Sequence, residues 1–122
     1  MKVVLALLAA MLLLAGCTKP SDGGSVPEQD AEGRYAIHMT ANNKYTPADA
    51  KVPVGATVIW VVDGGVHDVT AHDESWKSPR FMSAGATYEH TFTTEGDVDY
   101  HCELHSSNGM TGTLHVTPTA SA

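Results

Sequence analysis

Residues 57–62, TVIWVV, are the stretch that predicts the centre of the fold. The run consists of β-branched and aromatic residues, which are enriched in strands because they pack well on a pleated surface. Gly55 precedes it and the turn-forming sequence DGG follows it at 63–65, so both of its ends are marked. We therefore expect a central β-strand here, with the rest of the domain arranged around it.

Shorter runs with strand character lie on both sides. Residues 34–40 (RYAIHMT) and 87–93 (TYEHTFT) alternate apolar and polar side chains, as half-buried strands do. Further strand-like runs occupy 51–55, 66–70, 98–102 and 111–117, while 71–86 read as a loop with a weak strand near Phe81. After the N-terminal region, no apolar helical period is sustained. Residues 34–122 therefore predict an all-β domain, an antiparallel sandwich or barrel of about seven or eight strands.

The first sixteen residues differ in composition from the rest. Lys2 precedes a wholly apolar run at 3–14, which is too short to cross a bilayer comfortably. It has the size of the hydrophobic region of a secretory signal peptide, and a buried core helix is the alternative. At its end, Leu14-Ala15-Gly16-Cys17 resembles the lipobox of bacterial lipoproteins.

This resemblance implies cleavage before Cys17 and lipidation of that residue, which would anchor the protein stably. The protein would then be extracytoplasmic, on the periplasmic or cell-surface side of a bacterial membrane; plain secretion is the alternative. Residues 18–33 are rich in Pro, Gly, Ser and acidic side chains and predict a flexible tether. The predicted organisation is a signal peptide at 1–16, a lipidated linker at 17–33 and a β-domain at 34–122.

The chain is acidic, with a formal net charge of −7 at pH 7. Loss of the signal peptide would also remove Lys2, which leaves six basic against fourteen acidic residues. This balance argues against nucleic acid and anionic lipid surfaces as partners, because both repel an acidic protein. A solvated acidic surface accounts for the charge, and a cationic protein partner is only mildly favoured.

The sequence YHCELHSSNGM at 100–110 concentrates residues with metal-binding chemistry. If Cys17 carries lipid, Cys102 has no disulfide partner, and an unprotected thiol outside the cytoplasm tends to oxidise. Metal ligation would explain it: Cys102, His105 and Met110 follow a C-x2-H-x4-M spacing, from which three soft donors can converge. Such donors suit copper better than calcium or magnesium, and a blue-copper centre needs one more histidine.

The candidates for this histidine are His38, His67, His72, His90, His101 and His115. His67 is the best of them because it follows the DGG break, where irregular backbone can turn a side chain inward. His101 neighbours Cys102 in a strand and should point to the opposite face. His38, His90 and His115 lie inside strand patterns and are interpreted as surface or half-buried residues. His72 stays open, either close to the site or on the surface.

Residues 35–117 resemble the cupredoxins, and within them the plastocyanin, pseudoazurin and halocyanin group. The resemblance rests on YTPADAKVPVGATVIWV at 45–61, VHDV at 66–69, GATYEHTF at 85–92, EGDVDYHC at 95–102 and CELHSSNGMTGTLHV at 102–116. It implies a Greek-key β-sandwich with one type 1 copper per chain, ligated by His67, Cys102, His105 and Met110. The ligand spacing equals that of plastocyanin-like members and differs from azurin- and amicyanin-like loops.

A site with four protein ligands and no open position suits electron transfer better than catalysis. The resemblance therefore implies a blue copper electron carrier, not an enzyme, expected to be a monomer without a small-molecule substrate. It also implies that His105 reaches the surface in an apolar patch where redox partner proteins dock; we expect Val66, Leu104 and the glycines at 64, 65 and 109 there. A copper carrier or storage lipoprotein is the alternative.

Other classes fit the sequence less well. The His-x-His pairs of multicopper oxidases and the second ligand cysteine of a dinuclear site are missing. A metal-free structural or adhesion module would leave the Cys, His and Met pattern unexplained. Three departures from the usual cupredoxin pattern remain: Asp68 stands in place of asparagine, His101 in place of an aromatic residue, and Leu104 in place of proline. A carboxylate at 68 can accept hydrogen bonds but cannot donate them.

Overall fold

Ten strands form within residues 24–118, the part of the chain that the computed structural model describes. Their bounds are β1 Tyr35–Met39, β2 Tyr45–Thr46, β3 Asp49–Pro53, β4 Thr57–Val62, β5 Val66–His67, β6 Thr70–Ala71, β7 Met82–Ser83, β8 Thr87–Thr91, β9 Gly96–His101 and β10 Thr111–Thr117. A 3₁₀ turn covers Ser106–Asn108. No helix in this range is long and apolar enough to cross a membrane. The predicted signal peptide and the predicted lipidation site at Cys17 lie outside the described residues.

Two four-stranded sheets share one hydrophobic core. The first has the strand order β2-β1-β4-β8 and the second β3-β10-β9-β6, while β5 and β7 form a separate ribbon. The all-β prediction is confirmed, although four of the ten strands contain only two residues, too few for an alternating pattern to reveal. The antiparallel prediction is wrong for two pairings, β1 with β4 and β3 with β10, which are parallel.

The centre of the core is built on β4, as its sequence predicted. Trp60 has no exposed surface, and its ring meets the ring of Tyr100 edge-on, with 5.4 Å between the centroids. Full burial of a large apolar side chain contributes roughly 1.5–3 kcal/mol to stability. Tyr100 lies over its cross-strand partner Gly112, where any Cβ would overlap the tyrosine ring. This packing fixes β9, the strand that leads into Cys102.

Residues 24–33, here called the N-terminal segment, lie against the domain. The Ser25 N–H donates to the Asp49 carbonyl, and the Ser25 carbonyl accepts from the Lys51 N–H, both at 2.9 Å. These bonds add Ser25 to the outer edge of β3. Further along, the Glu28 carbonyl accepts a hydrogen bond from the Ala36 N–H of β1. These contacts were not predicted for the tether at 18–33, since backbone pairing with a strand edge is not visible in a polar composition.

Candidate metal centre

A glycine turn places His67. Between β4 and β5 the chain passes through Gly64 and Gly65, and Gly65 has a φ of +80°. A Cβ on Gly65 would also lie only 3.0 Å from Nε2 of His67. Glycine is favoured there because this φ is strained for other residues and the imidazole fills the space. His67 thereby folds beneath the turn and has no exposed surface.

Two backbone carbonyls orient the ring of His67. Its Nε2 lies 2.9 Å from the carbonyl oxygen of Thr40 and 2.9 Å from that of Gly64. Because a carbonyl oxygen only accepts, Nε2 carries the proton and donates it. The lone pair of the neutral ring is then on Nδ1, which faces the rest of the site. Partners of this kind fix the tautomer of metal-binding histidines.

The other three predicted ligands share one tight loop between β9 and β10. The Cys102 N–H donates to the Met110 carbonyl at 3.1 Å, and the His105 N–H donates to the Cys102 carbonyl at 3.1 Å. Gly109, with a φ of +79°, ends the 3₁₀ turn that closes the loop. Cys102 and Met110 are buried in the hydrophobic core, whereas His105 is partly exposed.

Three donor atoms converge where this loop meets the His67 turn. Nδ1 of His105 lies 3.3 Å from Nδ1 of His67 and 3.5 Å from the sulfur of Cys102. The donor atoms of the three residues all lie within 4.8 Å of one another. Two imidazoles with a soft sulfur are a donor set that copper prefers. Met110 belongs to the same loop, and the role of all four residues as ligands stays a prediction.

Burial affects the proton on the cysteine. Desolvation raises the pKa of the Cys102 thiol, and hydrogen bonds from the Asp68 and His105 backbones oppose this rise. Since metals bind the thiolate, metal binding must release the thiol proton. Copper uptake should therefore become more favourable as the pH rises.

Asp68 joins the two parts of the site. Its N–H points at the sulfur of Cys102 with a separation of 3.5 Å, and its carbonyl accepts a hydrogen bond from the Tyr45 hydroxyl at 2.8 Å. Its side-chain Oδ1 accepts from the Glu103 N–H at 3.0 Å. The carboxylate thus accepts a hydrogen bond from the ligand loop, as an acceptor-only side chain must. Nothing in the sequence indicated the contribution of Tyr45.

Apolar side chains are exposed beside the buried His67. Val66, its neighbour in β5, is 41% exposed, and Phe81 is 71% exposed. Phe81 directly precedes β7, whose Met82 pairs with His67, so it lies next in the chain to the strand that pairs with β5. Leu104 is only partly exposed and packs against the core. The apolar patch predicted from the sequence did not include Phe81, because this residue is distant from Val66 and Leu104 in the chain and the neighbouring strand β7 is very short.

The remaining histidines lie elsewhere. His38, His90 and His115 lie in β1, β8 and β10 and are partly buried, as their strand patterns predicted. The rings of His72 and His101 meet edge-on with 5.7 Å between their centroids, and neither belongs to the cluster. Among residues 24–118, the group of His67, Cys102 and His105 is the single set of three or more His, Cys, Asp or Glu donors close enough for one metal ion.

Comparison with known proteins agrees with this geometry. Residues 34–117 match the family described as copper binding proteins, plastocyanin/azurin family. The chain is 34% identical over 101 residues to halocyanin of Natronomonas pharaonis, which covers 76% of this chain but only 62% of halocyanin. The chain thus spans less than two thirds of that relative's length.

Two solved structures are similar in fold. A purple cupredoxin from Nitrosopumilus maritimus is 28% identical with a TM-score of 0.61, covering 67% of this chain and 98% of that one. A reduced variant of amicyanin is 30% identical with a TM-score of 0.62, covering 81% of this chain and 96% of amicyanin.

The chain therefore belongs to the plastocyanin/azurin family of copper-binding proteins. The predicted cupredoxin fold is confirmed. Copper is the cofactor of this protein, because family membership and the donor set of two imidazoles and a thiol agree.

Proposed function

We propose that this protein is a blue copper electron carrier in which His67, Cys102, His105 and Met110 hold one copper ion. The observation that carries the proposal is the convergence of the donor atoms of His67, Cys102 and His105 within 4.8 Å. Copper in this site supplies a one-electron Cu(I)/Cu(II) couple. Membership of the plastocyanin/azurin family and the similarity to halocyanin support electron transfer.

Hydrogen bonds hold the donor residues in place. Two carbonyls fix the imidazole of His67, and hydrogen bonds within the loop fix the backbone of Cys102 and His105. A donor set held by packing and hydrogen bonds changes little between oxidation states, and small changes favour fast electron transfer. The chain itself performs no bond-making step, so the proposal assigns it no catalytic residue.

The partly exposed His105 is the proposed route for electrons. His67 and Cys102 have no exposed surface, which keeps water and small molecules away from the donors on that side. Val66 and Phe81 expose apolar surface at the β5–β7 ribbon that carries His67. We propose that redox partner proteins dock there briefly, through the small interfaces typical of electron-transfer encounters.

A lipid anchor belongs to the same proposal. The lipobox-like sequence ending at Cys17 supports an extracytoplasmic protein, held as a monomer on the periplasmic or cell-surface side of a bacterial membrane. Mass spectrometry of the membrane fraction should find acyl chains on Cys17. Cys17→Ser should move the protein out of that fraction, and a variant that stays membrane-bound would contradict the anchor alone.

Replacement of the thiolate tests the copper site. The wild-type domain with Cu(II) should be intensely blue, and Cys102→Ser should lose the colour because thiolate-to-copper charge transfer is removed. Ser107→Ala, an exposed change in the same loop, should stay blue. Circular dichroism should show that both variants keep the β-fold. An equally blue Cys102→Ser protein, or a wild type that binds only zinc, would refute the proposal; a colourless wild type that exchanges Cu(I) readily would indicate copper delivery.

A further inference from the structure

One oxygen of the Asp68 carboxylate is turned towards Cys102. Oδ2 lies 4.0 Å from the cysteine sulfur, and the whole residue is only 1% exposed. The other oxygen, Oδ1, accepts hydrogen bonds from the Glu103 N–H at 3.0 Å and the Thr70 hydroxyl at 3.1 Å. Donors therefore hold one oxygen in place, while the second faces the sulfur of the proposed metal site.

The same residue connects both halves of the site. It directly follows His67, and its backbone N–H and side-chain Oδ1 contact Cys102 and Glu103 on the other loop. A shift of Asp68 would therefore move the two loops relative to each other. This role needs only an oxygen acceptor, which an uncharged amide would supply equally well.

Unlike an amide, a buried carboxylate also changes the electrostatic energy of a neighbouring charged site. Charges about 4 Å apart interact far more strongly in a protein interior than in water. The oxidised site carries one more positive charge than the reduced site, so a neighbouring carboxylate stabilises the oxidised site more. The balance between the two oxidation states must then depend on the charge of this side chain.

We propose that Asp68 is a positioning residue whose charge lowers the reduction potential of the site below that given by a neutral side chain of the same shape. The inference rests on the proposed function, because it takes His67 and Cys102 as ligands of a redox-active copper. Asp68 then makes the reduced protein a stronger electron donor than its four ligands alone would make it.

Asp68→Asn tests this proposal because asparagine keeps the shape and the acceptor oxygen used by Glu103 and Thr70. The copper-loaded variant should stay blue and have a higher reduction potential than wild type in a redox titration followed by visible absorption. Its affinity for Cu(II) should fall more than its affinity for Cu(I), because the carboxylate that is removed stabilises the oxidised form more than the reduced form. Asp68→Ser, which removes the charge with a smaller polar side chain, should also raise the potential and serves if Asp68→Asn does not fold.

Thr70→Val is the matched control. It removes one hydrogen bond to the same carboxylate but keeps the charge, so its potential should stay level or fall. A rise as large as that of Asp68→Asn would show that any loosening of the contact raises the potential, and the charge proposal would be wrong. A blue Asp68→Asn protein with an unchanged or lower potential would overturn it as well. A wild type without the blue band would instead refute the proposed function.

Discussion

His67 and His115 are two imidazoles of one domain with opposite surroundings. Nε2 of His67 faces two uncharged carbonyl oxygens and its Nδ1 faces another imidazole. His115, on β10, lies between two carboxylates: its Nδ1 is 2.7 Å from Asp97 and its Nε2 is 2.7 Å from Asp49. The first ring keeps a lone pair directed at the imidazole of His105, whereas both nitrogens of the second face anions.

This difference decides what each ring binds. The hydrogen bond to Asp97, followed by the one to Asp49, raises the pKa of His115 although partial burial opposes the rise. A protonated imidazole has no lone pair to offer a metal. Position in a strand or beside a turn is therefore a poor guide to the role of a histidine, and the atoms that face its two nitrogens are a better guide.

The largest expected effect is the loss of copper affinity when the ring of His67 is removed, compared with removal of the ring of His115. His67→Ala should weaken copper binding by more than about a hundredfold, beyond the loss typical of residues that only support a ligand. His115→Asn should bind copper as wild type does. Competitive titration against a chelator of known affinity measures both. Equal losses of copper affinity in the two variants would contradict the assignment of His67, and not His115, to copper binding.

The second prediction concerns stability and its pH dependence. A raised pKa in the folded state means that His115 stabilises the fold fully below its unfolded pKa of about 6.5 and loses that effect as the pH rises through the folded pKa. His115→Asn should therefore cost about 1 kcal/mol at pH 5.5, because both carboxylates are largely exposed. At pH 8.5 the cost should be smaller.

Urea unfolding of wild type and variant at both pH values checks this, since the difference cancels any pH effect on the rest of the chain. His38→Asn, which alters an exposed contact between β1 of the other sheet and Asp63, is a suitable comparison. A cost that grows with pH would mean that the ring is held neutral between the two acids.

The smallest effect separates the two carboxylates. Asp97→Asn should lower the pKa of His115 more than Asp49→Asn does, because the bond to Asp97 contributes most to the raised value. Titration of the ring protons by nuclear magnetic resonance gives both values. An identical shift in the two variants would show that the imidazolium is shared evenly between its neighbours.

Features encoded by neighbouring residues were predictable from the sequence. The TVIWVV run became β4, and the alternating runs at 34–40 and 87–93 contain β1 and β8, since period two specifies a strand face. The C-x2-H-x4-M stretch became one loop because its residues are close along the chain. The glycines before His67 marked irregular backbone, which is where the structure turns that ring inward.

Features that join distant residues were not predictable in this way. The parallel pairing of β1 with β4 is a choice among strand partners that local periodicity does not make. The two acids that hold His115 lie 18 and 66 residues away in the chain. The pairing of β7 with β5 and the contact of the Thr40 carbonyl with His67 arise only through the folded topology.

The docking of Ser25 on β3 has a consequence for how this protein behaves at high protein concentration. β3 is the last strand of its sheet, and the open side of such a strand is a template on which another polypeptide can add itself. With Ser25 in that position, a second molecule cannot extend the sheet there. A recombinant domain trimmed to begin at residue 34 would uncover this side, and self-association should then limit its solubility.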